Sequence, residues 1–431
     1  GTVAGLLETH KRYGKLPLKT VMEPVISQAK EGIYISYDLN QAIGSADQIM
    51  LDDESKSIYF QNDLPLMENE LIKRTDLAWT LSEIANNGQE AFYSGSISKK
   101  IVKAMKQNNG YISAEDLKNY KPRFSEPIHT TYRNYKIFAH PPPAGGAAVL
   151  LEGLNIIENF ETNKMGPNSA EFIHIFAEAL QRGHMDRSRF MGDPVFYDVP
   201  IEKIISKQRA KSLAKDINLN LVTKSESINP ESLFVEGENT THYSIIDGDG
   251  NVVSNTYTLG YSFGSGVTIP GTGILLNNQM NNFAYQYGEF GVIDRSASVG
   301  NRFESGKRPM STMSPIIVFN ENNSIKLVTG SPGGALIPAA ILRVVTGIID
   351  FELTLGEASM LPRIHKDWPK ENLLLERGFS NDTINILQSF GHKVEESKTM
   401  GSTQSILISS KGVEGFADLR RPNAGVAIQN D

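Results

Sequence analysis

There is no cysteine anywhere in the chain. Disulfides, a thiol nucleophile and thiolate metal ligands are therefore excluded, and the absence fits an exported protein. No apolar run approaches the ~20 residues of a membrane-spanning helix. No signal-peptide pattern opens the chain, and residue 1 is Gly rather than Met. A dominant charge sign is also lacking. The 42 basic and 49 acidic residues leave a net charge of -7, without long like-charge blocks, so nothing favours nucleic acid or an anionic membrane as partner. Phosphate-loop and HExxH patterns are missing, as are internal repeats and low-complexity tracts. What remains is 431 residues, suited to one large domain or two to three small ones and able to bury a substantial core.

Val3 to Tyr13 and Lys19 to Glu31 read as helices, the second with Val21, Val25, Ile26 and Ala29 near a 3.6-residue period. Asp76 to Ala85 is a third, ended by Asn86-Asn87-Gly88. Ser96 to Gln107 is a fourth, ended by Asn108-Asn109-Gly110. Ser113 is placed as the N-cap of the turn carrying Asp116. Thr130 to Ala139 alternates like one strand. After Pro141-Pro142-Pro143, Ala144-Gly145-Gly146 opens an apolar run to Ile157. Close packing is the favoured reading there, and a glycine-lined anion site the alternative. Ala170 to Arg189 is a long helix, and its His174 and His184 lie ten residues apart. That spacing suits hydrogen-bonded or surface histidines better than metal ligands.

Ala210 to Leu221 is a weaker helix and Val222 to Glu238 a polar loop. Ile274 to Gln279 reads as a strand, and Tyr285 to Glu304 as a polar loop. Pro315 to Phe319 and Ile325 to Thr329 form a hairpin of buried strands, followed by an apolar helix from Ala335 to Ile349. A helix at Asn381 to Phe390, capped by Ser380 and stopped by Gly391, precedes short strands at Lys393 to Glu395, Gln404 to Ile408 and Gly412 to Ala417. The class is α+β.

The chemistry lies at the centre. Thr241 to Ile246 and Val252 to Thr258 are strand-type runs around Asp247-Gly248-Asp249-Gly250-Asn251, a dense set of turn formers. A hairpin centred on Asp249 pairs Ile246 with Val252. Counted outward, it sets Thr240 opposite Thr258, with Cβ atoms roughly 5 Å apart. A slip of one residue would undo that pairing. A threonine hydroxyl needs a base, and the one open to it is its own α-amino group at a chain terminus. That amine has a reference pKa of about 7.7–8.0, close to working pH, so a usable fraction of it is free base. The scheme requires a cut between Asn239 and Thr240, by N-to-O acyl shift and hydrolysis, at the end of an exposed loop. The plainer reading is that Thr240-Thr241 simply opens a strand. Farther on, Gly330-Ser331-Pro332-Gly333-Gly334 joins a strand to a helix. Its free backbone N–H groups suit an oxyanion, and the plainer reading is a tight connection that needs positive φ.

Glu238-Asn239-Thr240-Thr241-His242-Tyr243-Ser244, Asp249-Gly250-Asn251 and Asn255-Thr256-Tyr257-Thr258 resemble the processing site of the γ-glutamyltransferases, which are N-terminal-nucleophile hydrolases. The likeness continues in order through Gly273-Ile274-Leu275-Leu276-Asn277-Asn278-Gln279-Met280, Gly306-Lys307-Arg308-Pro309, Met313-Ser314-Pro315, Thr329-Gly330-Ser331-Pro332-Gly333-Gly334 and Met400-Gly401-Ser402-Thr403-Gln404-Ser405. It covers essentially the whole chain. It implies a four-layer αββα sandwich. One compact domain is cut into residues 1–239, the large-subunit portion, and residues 240–431, the small subunit, which stay together as a heterodimer. It also implies a family segment ahead of residue 1, with an arginine for the donor's α-carboxylate.

The resemblance implies Thr240 as nucleophile, Thr258 as the hydroxyl that holds it, and the Gly333 and Gly334 amides as the oxyanion hole. It assigns Ser311 and Thr312 to the donor's carboxylate and Gln279 to its amine. It calls for no cofactor and no metal. Partners are a glutathione-like γ-glutamyl donor and water, an amino acid or a dipeptide as acceptor. A periplasmic or extracellular location follows from the resemblance alone. Two positions depart from the family pattern: Asn282 replaces an aspartate that faces the ammonium, and Gly260 replaces an asparagine. Losing that carboxylate removes a contact worth about 1.5–3 kcal/mol. The alternatives are therefore a glutaryl or cephalosporin-type acylase and a poly-γ-glutamate hydrolase. Rivals of another class are an uncleaved, non-catalytic family member and a binding protein without turnover.

Overall fold

The computed structural model describes residues 1–225, 239–284, 286–287, 292–293, 298–421 and 423–429. Most of the two polar loops expected at 222–238 and 285–304 lies outside the described residues. The chain divides into two compact units, Gly1–Ser125 with Leu259–Asn278, and Glu126–Thr258 with Gln279–Asp431. Both sides of the Asn239–Thr240 bond belong to the second.

The first unit is built on α1 (Thr2–Tyr13), α2 (Leu18–Glu31), α3 (Thr75–Tyr93) and α4 (Ser96–Gln107). Ala4, Ile84, Ile97, Ile101 and Ile269 share one core. The helix expected to stop at Gly88 continues to Tyr93. Gly88, at φ 61° and ψ −144°, breaks it, and a second helical piece follows. Glycine takes that backbone without a side-chain clash, so Asn-Asn-Gly here marks a kink rather than an end. Ser113 accepts from the Asp116 amide while the Asp116 carboxylate accepts from the Ser113 amide, a reciprocal cap.

The second unit begins with β1 (Ile128–Tyr132) and β2 (Tyr135–Ala139), where one strand was expected. Arg133 and Asn134, at φ 47° and 72°, turn the chain between them. This is a two-residue hairpin whose turn has no glycine to announce it. Next come α5 (Gly145–Ile157) and α6 (Ala170–Phe190), then β3 (Asn239–Ile246) and β4 (Val252–Gly260), the central hairpin. β5 (Ile316–Phe319) and β6 (Ile325–Gly330) lead into α7 (Ile337–Ile349). β7 (Ile364–Lys366), β8 (Asn372–Leu375), α8 (Asn381–Ser389) and β9 (Lys393–Glu396) follow, and β10 (Gln404–Ser409) and β11 (Gly412–Ala417) close the unit.

Six strands in the order β11-β10-β6-β5-β2-β1 form one antiparallel sheet. Ile137, Ala139, Ile316, Val318, Leu327 and Leu407 on one face share a core with apolar residues of α5, α6 and α7. The other face carries the β3–β4 hairpin. Ser244 Oγ donates to Gln404 O at 2.8 Å, and Ser254 Oγ to Thr329 O at 3.0 Å. Helices, sheet and hairpin stack as α, β and β layers. Covered on both faces, β6 is buried from Leu327 to Gly330, and its one charged residue, Lys326, lies before that buried stretch.

Two further boundaries differ from expectation. The weak helix is Lys207–Lys215, shifted toward the N-terminus. The strand expected over Ile274 to Gln279 is only Ile274–Leu275, and Gln279–Asn282 is a 3-10 turn. Beyond the strand the Asn278 amide donates to Leu259 O, and its Oδ1 accepts from the Tyr261 amide.

Candidate functional site

The turn of the central hairpin is tied off by Asp247. Its amide donates to Asn251 O at 3.0 Å, and its carboxylate accepts from the Asp249 and Asn251 amides. Gly250 takes φ 82°, the left-handed conformation that glycine adopts without strain. Moving outward, Asn255 Nδ2 donates to Tyr243 Oη at 2.7 Å, and His242 Nδ1 lies 2.7 Å from Thr256 Oγ1. Both contacts fit the register that pairs Ile246 with Val252. Carried two residues farther, that register sets Thr240 opposite Thr258. Thr240 is buried, Thr258 is half-buried, and Thr240 O accepts from Arg421 Nη1 at 3.4 Å.

The hairpin also has a fixed direction across the sheet. Ser244 bonds the carbonyls of Val328 and Gln404. Two residues on, the His242 ring lies against Gly330: a Cβ built there would sit 2.3 Å from His242 Cε1. Two residues beyond His242 is Thr240, heading for the loop that follows Gly330. Burial holds the His242 imidazole neutral, its pKa lowered to about 3. Its second nitrogen, Nε2, lies 3.1 Å from Ser244 Oγ, so the neutral ring donates from one nitrogen and accepts at the other.

In that loop, Gly333 and Gly334 take φ 130° and 56°, and a 3-10 turn (Gly334–Leu336) precedes α7. The positive φ at both positions is what a tight connection needs, and both glycines are buried. Among the described residues neither amide has an acceptor, so both donors are available to a ligand. A second loop supports this one. Ser331 Oγ donates to Pro332 O at 2.6 Å and accepts from the Ser402 amide at 3.0 Å. A Cβ on Gly333 would lie 3.2 Å from Gly401 Cα. The supporting loop is in turn held by buried charges. Glu376 accepts from the Met400 amide and Asp418 from the Thr403 amide, while Arg363 and Arg420 pair with these carboxylates. Burial pushes the Asp418 carboxyl up, but the two guanidiniums outweigh it and hold it below the usual carboxylate range.

Ser311 and Thr312 are positioned by α5. The Ser311 amide donates to Pro143 O, and the Gly146 amide to Ser311 O. A Cβ on Gly146 would lie 1.9 Å from Thr312 O. The glycines at the start of α5 thus serve close packing, and the backbone of this segment fills the place where an anion would sit. Gln279 and Asn282 share one turn, with Asn282 Nδ2 donating to Gln279 Oε1 at 3.0 Å. Asn301, which the sequence reading did not single out, joins the two segments. Its Nδ2 donates to Asn282 O at 2.7 Å, and its Oδ1 accepts from the Met310 amide at 2.8 Å. Nothing in the local pattern around Asn301 announces this role. At Gly260 (φ 98°) a Cβ would lie 1.9 Å from Asn278 Oδ1, so the Asn278 side chain occupies the space that an asparagine at 260 would need.

A family model described as gamma-glutamyltranspeptidase matches residues 1–428. The chain is 39% identical over 424 residues to a glutathione hydrolase proenzyme of Escherichia coli strain K12, covering 97% of this chain and 73% of that protein. It is 34% identical over 438 residues to the glutathione hydrolase proenzyme of Pseudomonas aeruginosa PAO1, covering 100% of this chain and 77% of that protein. Among solved structures it superposes on a cephalosporin acylase from Bacillus halodurans with a TM-score of 0.87 at 27% identity, covering 99% of this chain and 77% of that one. The αββα fold of the N-terminal-nucleophile hydrolases is the architecture these relatives share with it.

Proposed function

The chain belongs to the gamma-glutamyltranspeptidase family, and from that premise we propose that it cleaves the γ-glutamyl amide of glutathione-like compounds through an acyl-enzyme on Thr240. The observation that supports this is the line Ser244, His242, Thr240, which crosses the sheet toward the unengaged Gly333 and Gly334 amides.

Maturation comes first. Thr240 Oγ attacks the Asn239 carbonyl carbon, the C–N bond breaks as an ester forms, and water hydrolyses the ester. This leaves a carboxylate on Asn239 and a free amine on Thr240. Residues 1–239 and 240–431 remain together as a heterodimer. In turnover the Thr240 amine takes the Oγ proton as Oγ attacks the γ-glutamyl carbonyl. Thr258 orients the hydroxyl. The Gly333 and Gly334 N–H groups stabilise the oxyanion, each worth about 3–4 kcal/mol in comparable sites. The amine's new proton passes to the departing nitrogen. Water or an acceptor amine then attacks the acyl ester and restores Thr240. Ser311 and Thr312 hold the donor's carboxylate, and Gln279 and Asn282 face its α-substituent.

One observation favours a second donor class. Asn282 offers a neutral amide already bonded to Gln279, whereas a carboxylate there would attract an ammonium. A glutaryl donor of the cephalosporin-acylase type lacks that ammonium. Release of p-nitroaniline from γ-glutamyl- and glutaryl-p-nitroanilide, with and without a dipeptide acceptor, separates the two. Faster γ-glutamyl turnover supports the first reading and faster glutaryl turnover the second. No release from either, by protein cut at Thr240, overturns both.

A further inference from the structure

Far along α6 from its capped start, His184 is fully buried, and among the described residues neither of its ring nitrogens has a hydrogen-bond partner. His365, in the middle of β7, is also buried, and its Nδ1 has no partner among the described residues. The two rings stand edge to face, 5.3 Å between centroids and 83° between planes. Asp367, just after β7, brings its Oδ1 to 3.6 Å from His184 Nδ1. One ligand atom from each of the three lies within 4.8 Å of the others. The indole Nε1 of neighbouring Trp368 is likewise buried without a partner among the described residues. Buried polar atoms normally find partners, and a cluster that does not calls for an explanation such as a bound ion or water.

We propose that His184, His365 and Asp367 form a binding site for a zinc-class divalent metal ion, with water as the fourth ligand, pinning α6 to β7. The residue types are those that zinc takes, two imidazoles and a carboxylate, with bonds of about 2.0–2.2 Å. Those bonds put tetrahedral ligands about 3.3 Å apart, so small side-chain rotations close the observed spread. Trp368 Nε1 is a donor that the metal-bound water can use. Lys370 Nζ stands 3.7 Å from Asp367 Oδ2 with a mostly exposed side chain, so it can swing into solvent when a metal takes the carboxylate. Two imidazoles and a single carboxylate select against calcium and magnesium, which depend on several anionic oxygens, and leave ions that bond strongly to imidazole. The three residues come from sequence positions whose spacing shows no metal motif, so the site is visible only in three dimensions.

The test uses the full chain without a histidine tag, stripped with a chelator and dialysed against Zn2+. Wild type and the exposed-histidine control His140→Gln should each retain about one equivalent, as a three-residue site with one open position requires. His184→Gln and Asp367→Asn, shown folded by circular dichroism, should retain none, and added Co2+ should give four-coordinate visible bands in wild type and His140→Gln but in neither site variant. If His184→Gln does not fold, Asp367→Asn decides, because that side chain is partly exposed. Equal retention by wild type and Asp367→Asn, or no retention by wild type, overturns the proposal and leaves a buried water at the site.

Discussion

The His242 imidazole stands where a side chain on Gly330 would begin, with only 2.3 Å between Cε1 and an ideal Cβ at 330. This contact sets the hairpin's position along β6 and so decides where Thr240 ends. Gly330→Ala should displace His242 and destabilise the fold by about 1–3 kcal/mol, the usual range for overpacking. Cleavage before Thr240 should slow as well. Adding His242→Ala should return part of the loss, because residues in contact do not add independently. Urea unfolding of the two single variants and the double variant measures the coupling, and strict additivity would contradict the contact.

Acid should weaken the fold in a defined window. Burial lowers the His242 pKa to about 3. Burial, with help from His174 and Lys366, does the same to His392. Both are ordinary histidines near 6.5 when unfolded. As pH falls from 6.5 toward 3 the unfolded chain gains protons that the folded chain refuses, so stability drops. The drop approaches about 1.4 kcal/mol per pH unit for each ring. Stability attributable to these rings is full above pH 6.5. Unfolding midpoints from pH 7 to pH 4 should fall, and His242→Gln should fall less steeply. A flat profile in wild type would contradict the burial.

Asn301 is expected to matter for donor binding. Asn301→Ala leaves Asn282 O and the Met310 amide without their shared partner, costing about 1–3 kcal/mol for each buried group left unsatisfied. The turn holding Gln279 and Asn282 and the segment holding Ser311 and Thr312 then lose their link. Steady-state kinetics should show KM rising more than kcat falls. A change in kcat alone would place the role elsewhere.

Asn282→Asp should restore a charge-assisted contact to a donor's α-ammonium. Such a contact is worth about 1.5–3 kcal/mol, or roughly tenfold to a hundredfold in kcat/KM. The ratio of γ-glutamyl to glutaryl turnover should rise by that factor. An unchanged ratio would show that residue 282 does not face the donor's amine.

Local signals with a strong physical basis were readable. Ser96–Gln107 has the expected bounds, Ser113 and Ser380 cap where hydroxyl chemistry predicts, and the Asp247–Asn251 turn centres the hairpin. Signals that depend on backbone freedom misled. Gly88 kinks a helix rather than ending it, and Arg133-Asn134 turns the chain without glycine. Long-range relationships were not legible. Asn301 joins two segments, Arg421 reaches the Thr240 carbonyl, and His184 meets His365. In each case tertiary packing unites residues whose local patterns carry no mark of it.

The most direct test is the mass and N-terminal sequence of the purified chain beside its Thr240→Ala variant. Wild type should separate into two chains, the smaller beginning Thr-Thr-His-Tyr-Ser, and should release p-nitroaniline from its donor. Thr240→Ala should stay as one inactive chain. A cut at any other bond, or donor turnover surviving in Thr240→Ala, would contradict the account.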